Sequence, residues 1–152
     1  MKFILSRELG RLAKWLRILG VDAAYFNQDN TSPLVIQALR DNRIIITRNH
    51  RLAKSCRLKT ILVKSEKLKE QLYQILKELK LDINSDMMFS RCIICNVILE
   101  GVDKDKVQDK VPEYVFKTQD NFIACPECKR IYWSGTHWGN VAQTLKEIGA
   151  AL

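Results

Sequence analysis

Two Cys-x-x-Cys pairs, Cys92-Ile-Ile-Cys95 and Cys125-Pro-Glu-Cys128, separated by residues 96–124, constrain this 152-residue chain more than any other feature. Each pair forms a tight knuckle that aims two sulfurs at one point. Two facing knuckles give a tetrahedral four-thiolate shell, with zinc–sulfur distances near ~2.3 Å. The separation exceeds the roughly 15–20 residues usual between such pairs, so an insert over 102–115 is expected to loop out. Four thiolates leave no open position for water. Zinc therefore reads as structural, its binding free energy feeding into the folding of a small unit. The competing reading is a set of disulfides or a redox pair, which a reducing compartment disfavours. Cys56 stands apart and reads as a small buried apolar residue rather than a nucleophile.

The chain starts Met-Lys-Phe-Ile-Leu-Ser-Arg-Glu. Its apolar stretch is too short for a secretory signal, and no apolar run approaches the roughly 20 residues of a membrane span. The expected setting is cytoplasmic. Net charge is +8 and unevenly placed. Residues 1–60 hold twelve Lys/Arg against four acids (Glu8, Asp22, Asp29, Asp41), whereas residues 86–152 hold eight against nine. A basic surface releases counterions when it binds phosphates, so a polyanion partner is one reading and a merely soluble basic face the other.

Apolar and polar periodicity predicts strands at 2–5, 22–26, 44–47 and 60–63, alternating with helices at 8–19, 33–41, 49–56 and 67–80. Ser32-Pro33 and Asn49 are expected helix starts, and Gly20 a helix stop. Alternating strands and helices imply a parallel α/β sheet, whose ligands gather at the carboxyl ends of the strands. Those ends fall near Ser6, the stretch from Asp22 to Asp29, and Thr47-Arg48-Asn49. Polar residues 81–88 suggest a boundary, giving an α/β domain over 1–85 and a small domain over 86–152. Beyond it, strand-like pieces are expected at Ile98-Leu99, Tyr114–Lys117, Phe122–Ala124 and Arg130–Trp133, and Thr136 can cap a final helix over 137–148.

Lys2-Phe-Ile-Leu5, Leu9-Gly-Arg-Leu-Ala-Lys-Trp-Leu-Arg-Ile-Leu-Gly20 and Ile46-Thr-Arg-Asn-His-Arg-Leu-Ala53 resemble the Mut7-C ribonuclease domain family. So do Phe89-Ser-Arg-Cys92, Val111-Pro-Glu-Tyr-Val115, Cys125-Pro-Glu-Cys128 and Tyr132-Trp-Ser-Gly-Thr-His-Trp138, so that the resemblance covers nearly the whole chain. It implies a PIN-like α/β domain, a parallel sheet flanked by helices, followed by a zinc ribbon. It also implies RNA, expected to be single-stranded, as partner, and a metal-dependent ribonuclease activity. Such nucleases gather acids at the strand ends to hold Mg²⁺ or Mn²⁺, which activate water and stabilise the leaving oxygen. This chain departs from that pattern: Ser6 stands where the family closes the first strand with an acid, and Asn49 where an acid follows the Thr-Arg pair. Asp22 matches an acidic family position and Asp29 falls in an acidic region. Two charges fewer weaken any Mg²⁺ or Mn²⁺ site.

The candidate catalytic residues are therefore Asp22, Asp29, Asn49 and Ser6, each with a plainer role as turn, loop or cap residue. Glu8 is assigned to the first helix and Asp41 to a solvated turn. Arg11, Arg48, Arg51 and Lys54 are candidate RNA contacts, or a solvated basic face. His50 is a surface residue or a proton shuttle. Tyr132, Trp133 and Trp138 either stack on bases or pack the ribbon, and His137 fits as a packing and capping residue. Three readings stay open: a ribonuclease with an altered site, a non-catalytic RNA-binding module, and a zinc-ribbon interaction adaptor.

Overall fold

Successive side chains of a strand point to opposite faces of its sheet, and in Lys2–Leu5 that alternation separates Phe3 and Leu5 from Ile4, which sit in two different cores. The computed structural model describes residues 1–135 and 137–150. The expected cap Thr136 and the side chains of His137 and Trp138 lie outside the described residues.

Four parallel strands, β1 (Lys2–Leu5), β2 (Asp22–Tyr25), β3 (Ile44–Thr47) and β4 (Thr60–Leu62), form a sheet in the order β2-β1-β3-β4. Helices α1 (Gly10–Ile18), α2 (Thr31–Arg40), α3 (His50–Ser55) and α4 (Leu68–Leu79) connect and follow them. The chain steps from β1 through α1 to β2 in one direction, then back past β1 to β3 in the other. With right-handed crossovers, this reversal places helices on opposite faces. On one face Leu12 and Leu16 of α1 and Leu72 and Ile75 of α4 cover Phe3, Leu5 and Ile46. On the other, Leu34 and Ala38 of α2 and Leu52 of α3 cover Ile4 and Ile45. Each fully buried Leu or Ile stabilises the fold by about 1.5–3 kcal/mol relative to exposure.

The expected first helix is broken at its start. Arg7–Leu9 form a 3-10 turn before α1 begins at Gly10, and Tyr25 packs so closely that a Cβ on Gly10 would meet its ring at 3.1 Å. Helix α2 starts earlier than expected, because Asn30, not Ser32, caps it by accepting from the Ser32 N–H at 3.0 Å. Asn49 caps α3 as expected.

Past residue 85 the chain turns back under the end of α1. Gly20 has φ +82°, and a Cβ there would collide with the Met87 carbonyl. The Phe89 N–H donates to the Ile18 carbonyl at 2.7 Å, satisfying one of the last acceptors of the helix. Strands β5 (Glu100–Val102), β6 (Phe122–Ala124) and β7 (Ile131–Trp133) then form an antiparallel ribbon carrying the cysteines. The sheet begins at Glu100 rather than at Ile98, which makes only an isolated bridge to Arg91. Tyr114–Lys117, expected as strand, is helical within α5 (Glu113–Thr118). It follows Pro112, has Glu113 in its first turn, and buries Val115 while Tyr114 stays exposed. Nor does 102–115 simply loop out: Val107 and Val115 join Phe122 in a small core of the ribbon's own. The last helix, α6 (His137–Glu147), returns Val141 and Leu145 to the core beneath α1 and α4.

Candidate sites at the strand ends and in the cysteine ribbon

The connections leave β1 and β3 in opposite directions, so the carboxyl ends of these two strands flank a switch point, the place where such sheets form a ligand crevice. Ser6 and Thr47 end them, both buried, with their hydroxyl oxygens 2.8 Å apart. The Glu8 carboxylate closes over this pair. Its Oε1 accepts from Ser6 Oγ (2.5 Å), Thr47 Oγ1 (3.2 Å) and the Arg48 N–H (2.8 Å). Burial would raise the Glu8 pKa, but these donors outweigh it and hold the group below the usual carboxylate range. Glu8 itself is solvent-exposed, so an ionised carboxylate stands at the mouth of the crevice.

Asn49 lies beside this cluster. Its N–H donates to Thr47 Oγ1 at 3.1 Å, while its side chain is committed to the α3 cap, accepting from the Leu52 N–H at 3.0 Å. Arg48 donates through Nη2 to Glu66 Oε1 at 3.2 Å, and its Nε is buried without a partner among the described residues. Asp29 lies in the exposed loop after β2 and pairs with Arg7 at 2.6 Å. Arg11 stands in the first turn of α1; His50 opens α3, which carries Arg51 and, in its last turn, Lys54.

Asp22 does not join them. It opens β2 and lies opposite Lys2, so it sits at the amino end of the sheet. Four residues of strand, about 13 Å, separate that level from Ser6. Its carboxylate instead accepts from Arg43 Nη1 at 2.6 Å and Asn96 Nδ2 at 2.8 Å, with Arg91 4.0 Å away. Burial alone would raise its pKa; the bonds from Arg43 and Asn96 lower it overall. Ser6 and Asn49 thus meet through Thr47 at the strand ends, while Asp29 stays in the exposed loop after β2 and Asp22 lies at the far end of the sheet. Glu8 is the residue that sequence reasoning missed. It could have been found by asking which acid follows the first parallel strand within a turn, instead of extending the helix back to it.

In the ribbon, the four cysteine sulfurs lie within 4.8 Å of one another. The two knuckles repeat one geometry. The Cys95 N–H donates to Cys92 Sγ and the Cys128 N–H to Cys125 Sγ, both at 3.4 Å. Asn96 (φ 67°) and Lys129 (φ 63°) turn the chain through the left-handed region. Their N–H groups donate to the carbonyls of Cys92 and Cys125 at 2.9 and 3.0 Å. Cys92 and Cys128 sulfurs are 3.7 Å apart. Tetrahedral coordination at ~2.3 Å requires about 3.8 Å between sulfurs, so the donor set fits a four-thiolate metal ion. The thiols are unequal without one. Against the effect of burial, the Tyr132 hydroxyl (3.2 Å) and nearby N–H groups hold Cys92 down to about 6, whereas burial and neighbouring sulfurs push Cys95 up to about 12. A divalent cation removes that conflict by favouring all four thiolates. Trp133 packs edge-on against Phe122, with centroids 6.4 Å apart, at the margin of the ribbon's core.

This ribbon is joined to the edge of the parallel sheet. Asn96 Oδ1 accepts from the Ala23 N–H at 3.0 Å, and Arg17 Nε donates to the Ala23 carbonyl at 2.8 Å. Both outward groups of this edge residue are therefore paired, which blunts an otherwise open strand. Arg17 Nη1 also donates to the Ile93 and Ile94 carbonyls at 2.8 and 2.9 Å, inside the first Cys-x-x-Cys loop. Arg91 donates to the Gly20 and Asn96 carbonyls at 3.1 and 2.8 Å.

Comparison with known families finds one whose model, described as the Mut7-C RNAse domain, matches residues 1–145. No curated protein and no solved structure matches the chain.

Proposed function

The chain belongs to the Mut7-C RNAse domain family, and from that premise we propose that it is a PIN-like RNA-binding protein with an altered ribonuclease site at the β1–β3 crevice. The observation carrying this reading is the Glu8 carboxylate, held ionised by Ser6, Thr47 and Arg48 at the strand ends. The cations around it, Arg11, Arg48, Arg51 and Lys54, contact phosphates of single-stranded RNA. The exposed Glu8 carboxylate accepts a ribose 2′-hydroxyl and so favours RNA over DNA. We divide the chain into an RNA-handling part, 1–85, and a ribbon, 86–152, that holds structural zinc. Its reduced thiols suit the cytoplasm.

Tight Mg²⁺ or Mn²⁺ binding does not fit the crevice. Glu8 supplies one carboxylate, Asn49 spends its side chain on a cap, and Asp29 and Glu66 are paired with arginines. We therefore derive no hydrolytic step through such ions, and binding rather than cleavage is the main activity. Family membership favours a second reading, slow metal-dependent cleavage. The test is binding of single-stranded RNA and DNA across salt concentrations, with an RNA cleavage assay under Mn²⁺ titration. Salt-steep binding with preference for RNA is expected, with cleavage slight until Ser6→Asp/Asn49→Asp restores two charges. Absence of salt-dependent RNA binding refutes the proposal and leaves the ribbon as an adaptor for another partner.

A further inference from the structure

Arg17 is among the few charged residues buried in this protein, at 6% exposure. It lies on the last turns of α1 and its guanidinium is turned toward the ribbon. All of its hydrogen bonds go to main-chain carbonyls, those of Ala23, Ile93 and Ile94. Among the described residues it forms no ion pair with a carboxylate: Asp22, the nearest acid, is taken by Arg43 and Asn96. A buried charge without a counter-charge costs several kcal/mol, so a chain that keeps one there has something for it to neutralise.

The carbonyls held by Nη1 belong to the two residues between Cys92 and Cys95. Cys92 and Cys95, together with Asp22 and Tyr132, lie close enough to Arg17 to act on its charge. A divalent ion in a four-thiolate shell carries about two net negative charges. We propose that Arg17 is the counter-charge of the cysteine metal centre, a positioning residue supplied by the α/β part of the chain to the ribbon. It holds the first knuckle in its ligating shape through Ile93 and Ile94, and offsets part of the surplus negative charge on the loaded shell. In the opposite direction, the loaded centre makes a buried guanidinium tolerable at the edge of the sheet. Metal loading and the order of β2 are thereby linked. This inference rests on the reading that the cysteines bind a metal, and the experiment separates the two.

The full-length chain is loaded with Co²⁺, and its affinity is measured by competition with a chromophoric chelator while the sulfur-to-cobalt charge-transfer band is recorded. If the wild-type chain takes up no metal, the metal reading itself falls. If it loads, Arg17→Met is expected to lose about 10–100-fold in affinity, the range typical of partners behind a metal's ligands. Its band should move to longer wavelength, because sulfur orbitals rise once the neighbouring cation is gone. Arg17→Lys, which keeps charge without the forked donors, should lose affinity but leave the band nearly in place. Arg91→Met, which removes another arginine docking the ribbon, should leave the band unmoved. An unshifted band and unchanged affinity in Arg17→Met overturn the inference while sparing the metal reading. Should Arg17→Met fail to fold, amide exchange in the wild-type chain decides. Stripping the metal should raise exchange at residues 17–23 well before β4, and equal protection there with and without metal overturns the proposal.

Discussion

Asp22 accepts a hydrogen bond from Asn96 Nδ2 at 2.8 Å, joining the first residue of the edge strand to the residue that closes the first cysteine knuckle. Arg43 approaches the same carboxylate at 2.6 Å from the start of β3, and only 14% and 17% of these two side chains are exposed. Replacing Asp22 by Asn leaves the Arg43 charge largely buried without its partner. Asp22→Asn should cost about 2–4 kcal/mol in urea denaturation of the metal-loaded chain. RNA affinity under native conditions should change little. A variant that keeps full stability but loses RNA binding would return Asp22 to the functional site.

Acid sensitivity follows from the same carboxylate and from Glu8. Both have folded pKa values below the ordinary ~3.9–4.3 of unfolded chains. Depressed carboxyl pKa values mean that the unfolded chain binds protons first as pH falls. Their contribution is complete above about pH 5 and is lost as pH drops through the folded values. The wild-type chain should therefore lose stability progressively as pH falls below about 5. Asp22→Asn should flatten that slope, as followed by denaturant midpoints at fixed metal loading.

The helix cap and the crevice can be separated at Asn49. Its side chain accepts from the Leu52 N–H, so Asn49→Ala should cost about 1 kcal/mol. Asn49→Asp preserves the cap and adds charge at the crevice. Asn49→Asp should therefore match the wild-type chain in stability but weaken RNA binding through repulsion of the phosphates, and unchanged RNA affinity would place Asn49 away from the RNA path.

The basic rim has its own signature. Arg51 and Lys54 stand three residues apart on α3, and neither forms an ion pair among the described residues. Each phosphate contact contributes about −0.7 to the salt slope of single-stranded RNA binding. Arg51→Ala and Lys54→Ala should each weaken binding without regard to base sequence and reduce the slope by about that amount. Unchanged slopes would mark this face as solvated rather than RNA-bound.

Removal of the metal should act unevenly. Chelation is expected to abolish amide protection across 92–102 and 122–133, while β1 and β3 persist on their own two-sided core. Hydrogen exchange read by mass spectrometry checks this. Retained protection throughout the ribbon after complete metal loss would show that packing of Val107, Val115 and Phe122 suffices without the ion.

Much of this was legible without coordinates because the signals were local. The paired Cys-x-x-Cys spacing, the repeat of Leu12 and Leu16, and the run Ile44–Thr47 each specify geometry within a few residues, and each is found where expected. Errors arose where one short pattern serves two states. Tyr114–Lys117 is rich in strand-forming residues, yet it is helical because Val115 packs against Val107 and Phe122. Glu8 continues the helical period of α1 but falls in the tight turn before it, where its carboxylate faces Ser6 and Thr47.

By itself, then, the sequence determined the two knuckles and the alternation of four strands with four helices over residues 1–80, since these depend on spacing along the chain. Tertiary structure alone decided that Glu8 would reach Thr47, that Asp22 would meet Asn96, and that Arg17 would turn to the first cysteine loop. Those partners lie 39, 74 and 76 residues apart. Charges choose partners by distance in space, and only the order of strands in the sheet and the return of the ribbon to its edge set that distance.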